Sequence, residues 1–124
     1  MRDKGRGVEV LKDRLLKPGR WSFREIFWDR PDIKAMTFEE FKAYVRDLRR
    51  LGRWGELEFI VRRYVERGNS LEAPYFFEPE EILRVIGEVK SSSRWSLFCD
   101  PLRLRAWEKA AQRMLKKGKE KSGV

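Results

Sequence analysis

Residues 37–68, TFEEFKAYVRDLRRLGRWGELEFIVRRYVERG, read as two helices folded back to back. Thr37 and Glu40 form a T-x-x-E capping box, and Met36 and Phe41 occupy the positions of a hydrophobic staple. Phe38, Phe41, Tyr44, Val45, Leu48 and Leu51 then recur at three- and four-residue spacing. At about 100° per residue they share one arc, and Lys42, Arg46, Arg49 and Arg50 fall on the opposite one. Gly52 suits a left-handed C-cap. The second helix puts Trp54, Leu57, Ile60, Val61, Tyr64 and Val65 on one face and stops at Gly68-Asn69. The stretch predicts a helical hairpin with one apolar face and one arginine-rich face.

Toward the N-terminus, Met1 to Gly7 reads as a basic arm and Val8 to Lys17 as a short helix stopped by Pro18-Gly19. Ser22-x-x-Glu25 forms a second capping box, with Trp21 and Ile26 as staple, which predicts a helix over Phe23 to Trp28 ended by Pro31. Two short helices bury too little to fold alone, so this third of the chain must lie against the hairpin, a partner or a nucleic acid. Trp21 and Trp28 are candidate contacts between subunits.

Toward the C-terminus, Ser70 to Glu78 is expected as a loop, and its run Tyr75-Phe76-Phe77 as a plug into a neighbouring subunit. Pro79 suits the first position of a helix to about Lys90, which Ser91-Ser92-Ser93 breaks. Asp100-Pro101 supplies an N-cap and an N1 proline for the last helix. Leu104, Trp107, Ala111, Met114 and Leu115 form its apolar side, and Lys117, Lys119 and Lys121 lead into a polar tail. No strand pattern of any length appears. The fold class is all-α: a basic, proline-broken helical arm over 1–35, a bundle of about four helices over 36–117, and a basic tail over 118–124.

Composition narrows the function. Among 124 residues there are 29 Lys and Arg against 20 Asp and Glu, a net charge of +9. The excess lies at both ends, and the segment 69–100 is acidic. Such a balance points to a polyanionic partner, nucleic acid first, or lets basic ends grip the acidic segment of another copy. Asn69 and Gln112 are the only side-chain amides, and 40% of the chain is charged, the composition of a heat-adapted protein. No apolar run reaches the roughly 18 residues that cross a bilayer, and no signal-peptide core follows the basic N-terminus. A protein without a membrane span, made without export, is the expectation.

The residue types for most catalysis are missing. There is no histidine, and Cys99 is the only cysteine, so neither a nucleophile–base pair nor a thiolate metal site can be assembled. Gly5, Gly7 and Gly19 lack the spacing of a phosphate loop. Glu39-Glu40 and Glu80-Glu81 fall in first helical turns, where carboxylates meet the helix dipole. A non-enzymatic protein with no metal and no cofactor is expected.

Three basic groups remain. Lys42, Arg46, Arg49 and Arg50 form a stripe on the hairpin, extended by Arg53. Arg105, Lys109, Arg113 and Lys116 lie within about 80° of one another on the last helix. Arg14, Lys17, Arg20 and Arg24 surround the N-terminal proline break. If six to ten of these met phosphates, affinity would fall roughly a thousandfold or more between 50 and 200 mM salt. With almost no amide side chains, adenine is poorly read, so binding should be blind to sequence.

The basic, proline-broken arm (Met1 to Pro31) ahead of a helical body (Thr37 to about Lys117) resembles the coat proteins of filamentous and rod-shaped archaeal viruses: the rudivirus, lipothrixvirus and tristromavirus group. That resemblance implies dimers, often of two related coat proteins, whose arms wrap double-stranded DNA within a virion. Arg14, Lys17, Arg20 and Arg24 would then be arm contacts, with Arg46, Arg49 and Arg50 lining the body. The basic C-terminal end has no counterpart in that pattern. The span Thr37 to Gly68 also resembles one pentatricopeptide or tetratricopeptide unit, with Phe41, Tyr44, Leu48, Trp54 and Leu57 at packing positions. This implies the alternative of a small RNA-binding or adaptor module, although no second copy of the unit is present.

Overall fold

In the computed structural model, which describes residues 20–91 and 100–122, the hairpin of residues 37–68 sits at the centre. Seven α-helices and one 3-10 turn occupy the described residues, with no strand among them. They are α1 (Arg20–Ile26), α2 (Pro31–Lys34), α3 (Phe38–Arg50), α4 (Trp54–Arg67), the 3-10 turn Ser70–Glu72, α5 (Ala73–Phe76), α6 (Pro79–Ser91) and α7 (Pro101–Ser122). The fold is an all-α, small helical protein.

The hairpin forms for the reasons its residues suggest. Thr37 Oγ1 accepts from the Glu40 amide at 3.2 Å, and Glu40 Oε1 accepts from the Thr37 amide at 2.8 Å. At the other end of α3, Gly52 has φ +69°, the left-handed region that suits a residue without Cβ. The Arg53 amide then donates to Leu48 O at 2.9 Å and the Gly52 amide to Arg49 O at 3.2 Å, a Schellman closure that turns the chain into α4. Gly68 ends α4 for a different reason. A Cβ there would stand 2.3 Å from the Tyr64 ring, so close approach, not backbone torsion, selects glycine.

Both proline-led expectations downstream hold, since Pro79 opens α6 and Asp100 Oδ1 accepts from the Leu102 amide at 2.8 Å at the start of α7. Elsewhere the local signals are overridden. Ser22 lies inside α1, which begins at Arg20, so Ser22-Glu25 is not its cap. Pro31 does not close that helix but opens α2, its missing N–H costing nothing at a first-turn position. Residues 70–76 are not a loop: Asn69 Oδ1 accepts from the Leu71 amide at 3.0 Å and starts a 3-10 turn that runs into α5. The C-terminal residues do not leave the helix at Lys117, because α7 continues to Ser122.

One aromatic cluster joins these elements. Phe23 of α1 lies 4.6 Å from Phe41 of α3, centroid to centroid, and Phe41 meets Phe76 edge-on at 4.8 Å. Tyr64 of α4 touches Phe77 at 5.2 Å and Trp107 of α7 at 6.1 Å. Phe76 and Phe77 are therefore core residues, not a plug for another subunit, and half-buried Tyr75 packs edge-on against Phe38 at 5.4 Å. The helical turn of α5 swings these two rings inward and leaves Pro74 outside. Phe23, Ile26, Phe27 and Ile33 are buried in the same cluster as the hairpin. No boundary at residue 35 divides the described part of the chain: residues 23–33 belong to the body.

Candidate nucleic-acid interface

The apolar arc of α3, Phe41, Val45 and Leu48, is buried, which turns Lys42, Arg46 and Arg50 to solvent. Arg53 is exposed in the turn that follows. Arg49 leaves this stripe. Its guanidinium holds Glu81 through Nε at 2.6 Å and Nη2 at 2.9 Å, and Nη2 also donates to Phe76 O at 3.0 Å. The Glu81 hydrogen bonds push the Arg49 pKa above its ordinary value, so the charge stays as a strut between α3, α5 and α6. Asp47 lies 4.0 Å from Arg46 and 3.6 Å from Arg50, exposed pairings that water weakens. The stripe thus keeps Lys42, Arg46, Arg50 and Arg53, with one carboxylate among them.

The stripe on α7 is cleaner. Trp107, Ala110 and Ala111 are buried, and Arg105, Lys109, Arg113 and Lys116 are exposed on the other side. None of the four has an ion-pair partner among the described residues. The acidic Glu108 is drawn off to Lys90 at 3.2 Å. Arg103, which falls off the stripe on the helical wheel, turns inward and donates to Val65 O at 3.1 Å and Gly68 O at 2.7 Å. It places its charge at the negative end of α4 and satisfies carbonyls that the helix leaves open. The two stripes lie on helices with different main packing partners: α3 rests chiefly on α4 and α5, and α7 chiefly on α6, the 3-10 turn, α4 and α5.

Of the N-terminal group, Arg24 is exposed on α1. Arg14 and Lys17 lie outside the described residues, and Arg20 and Trp21 enter only as positions on α1. Cys99 also lies outside them. Trp28 is 57% exposed on the turn after α1. It shares an open concavity of about 570 Å³ with Arg24, Glu25, Lys34 and Arg67. Sequence reasoning missed Lys34 and Arg67, because three separate elements bring this group together.

Several other charges serve the fold. Arg63 pairs with Asp29 at 2.8 and 3.0 Å, and that hydrogen bonding holds the Asp29 carboxyl below the usual range. Arg30 bridges Asp32 at 2.9 Å and Glu56 at 2.7 Å, and Tyr44 donates to Glu56 as well. The Glu56 carboxyl is lowered, chiefly by the Arg30 hydrogen bond. Glu72 is buried and accepts from Tyr64 Oη at 3.0 Å; burial raises its pKa. Glu40 and Glu81, one from each first-turn acidic pair, cap backbone amides at their helix starts. Among the described residues no group of His, Cys, Asp and Glu stands together to hold a metal ion. No described helix is long and apolar enough to cross a membrane.

These features define a small all-α protein with two solvent-facing basic helix faces. The chain matches no family model, no curated protein and no solved structure.

Proposed function

We propose that this chain is a non-enzymatic protein that packages double-stranded DNA through its phosphate backbone and assembles along it into a helical filament, as a viral coat protein would. The observation that carries the reading is the α7 stripe, four cations on one solvent face of a 22-residue helix with no ion partner among the described residues. From Arg105 to Lys116 the helix rises about 16 Å, against roughly one phosphate charge per 1.7 Å of duplex axis. Over that length the four cations face about nine phosphate charges, so the face can lie along the duplex backbone and neutralise part of it. Lys42, Arg46, Arg50 and Arg53 offer a second row on α3 and the turn after it, whose main packing partners are α4 and α5, which suits contact with two stretches of polyanion or with two neighbours along one.

The test is binding of the full chain to random-sequence duplex DNA and to single-stranded RNA across a salt series. Four phosphate contacts from α7 predict a log–log slope of about −3.6, roughly a hundredfold loss of affinity between 50 and 200 mM salt. Changing Arg105, Lys109, Arg113 and Lys116 together to Gln should remove most of that slope. Indifference to sequence and saturation along long duplexes, with filaments seen by electron microscopy, is the expected outcome. Absent or salt-insensitive duplex binding would overturn the reading, and tight binding to RNA alone would favour the helical RNA-binding module.

A further inference from the structure

Among the described residues Trp28 is the one tryptophan with a largely exposed side chain, and the chain around it is held firmly. Phe27 beside it is fully buried. Asp29 on its other side is clamped by Arg63, and Arg30 by Asp32 and Glu56. The Phe27 amide donates to Phe23 O at 2.8 Å and the Arg30 amide to Phe27 O at 3.0 Å, closing the turn. The indole is thus presented outward from a rigid turn.

Its surroundings decide what it suits. Among the described residues the concavity is lined by Arg24, Lys34, Arg67, Glu25 and Trp28, three cations and one anion about one aromatic ring. A protein-binding anchor shares with this site its tryptophan and arginines, but the buried core of such an interface is depleted of lysine and glutamate, and both Lys34 and Glu25 stand here. An aromatic ring on a cationic surface is instead what unpaired bases stack on while their phosphates are gripped at the sides. Arg24, Lys34 and Arg67 have no ion-pair partner among the described residues, so their charge is available.

We propose that Trp28, with Arg24, Lys34 and Arg67, forms a stacking site for an unpaired nucleobase and its flanking phosphates. The inference rests on the reading of the chain as a nucleic-acid-binding protein and adds a single-stranded ligand to it, separate from the two basic stripes. A base enters face-on to the indole, and the three cations take the phosphates on either side of it.

The experiment uses the full chain and an oligothymidylate carrying one 2-aminopurine, whose fluorescence is quenched on stacking, alongside a duplex of mixed sequence. Wild type should quench the probe. Trp28→Ala should abolish quenching and weaken single-strand affinity roughly 5- to 150-fold, with duplex affinity and the thermal melt unchanged. Trp28→Phe, which keeps a ring, should retain most of both. Duplex binding with a single-strand affinity and quenching that Trp28→Ala leaves intact would overturn this site and leave the packaging reading standing. Quenching that depends on Trp28 without any duplex binding would support the site and overturn duplex packaging. No binding to either probe would overturn both, and a change in oligomeric state alone on Trp28→Ala would overturn the site in favour of a protein contact.

Discussion

Glu72 is the one charged side chain that is buried among the described residues. It is a buried carboxyl whose hydrogen-bond partner is Tyr64 Oη, and burial pushes its pKa up. The folded chain therefore holds this proton more tightly than the unfolded chain. The stability it contributes is complete below the ordinary glutamate range and is lost as pH rises through the raised value. Replacing it with a neutral isostere removes that loss: Glu72→Gln should be more stable than wild type at neutral pH, and the two should converge as pH falls below the ordinary glutamate range. Urea titrations at a series of pH values check this, and a gap independent of pH would contradict it. Asp29 and Glu56 act with the opposite sign, because their arginine partners lower their pKa values. Their contribution is present above the ordinary carboxyl range and is lost as pH falls through the lowered values.

At the scale of the element, α3 shows why a basic helix face cannot be read as one functional unit. Arg49 shares an arc with Lys42, Arg46 and Arg50, yet its guanidinium is spent on Glu81 and on the carbonyl of Phe76. Arg49→Ala should cost about 1.5–3 kcal/mol of stability through lost charged hydrogen bonds, and it should leave the salt slope of DNA binding alone. Arg46→Ala and Arg50→Ala should each stay within about 0.5 kcal/mol of wild type while lowering that slope. Thermal melts and salt titrations on the three variants separate strut from contact; equal behaviour of all three would contradict the division. Arg103 is a second strut of this kind, joining α7 to the end of α4, and its off-stripe position on the wheel was the available signal.

For the whole molecule, the aromatic cluster makes the described helices one body. Trp107 is fully buried and ties α7 to Tyr64 of α4 and Phe77 after α5. The ring fills the junction of these elements by its volume. Trp107→Ala should cost about 3–5 kcal/mol, a large share of the 5–15 kcal/mol typical of a domain. The same loss should loosen α7 and weaken duplex binding, since the basic stripe would no longer be held on a fixed helix. A calorimetric melt beside a duplex titration tests both, and a variant as stable as wild type would contradict the packing role.

Local chemistry was enough for the elements with strong punctuation. The Thr37–Glu40 capping box, the glycine turn at 52, Pro79 and Asp100-Pro101 each act on neighbours a few residues away, so the hairpin, α6 and α7 were legible from the order of residues alone. Helical periodicity also placed the apolar and basic faces of α3 and α7, because a wheel needs no tertiary information. What lay beyond the sequence was every contact between elements. Phe76 and Phe77 looked like an external plug because burial depends on what α1, α3, α4 and α7 bring to the same place. Arg49 looked like a free cation because its carboxylate comes from a helix 32 positions away. The cluster of Arg24, Trp28, Lys34 and Arg67 is spread over three elements, and only their packing brings it to one side of the molecule. Side-chain chemistry within one turn is written in the chain; partnership across the core is set by packing, where the closest contact wins.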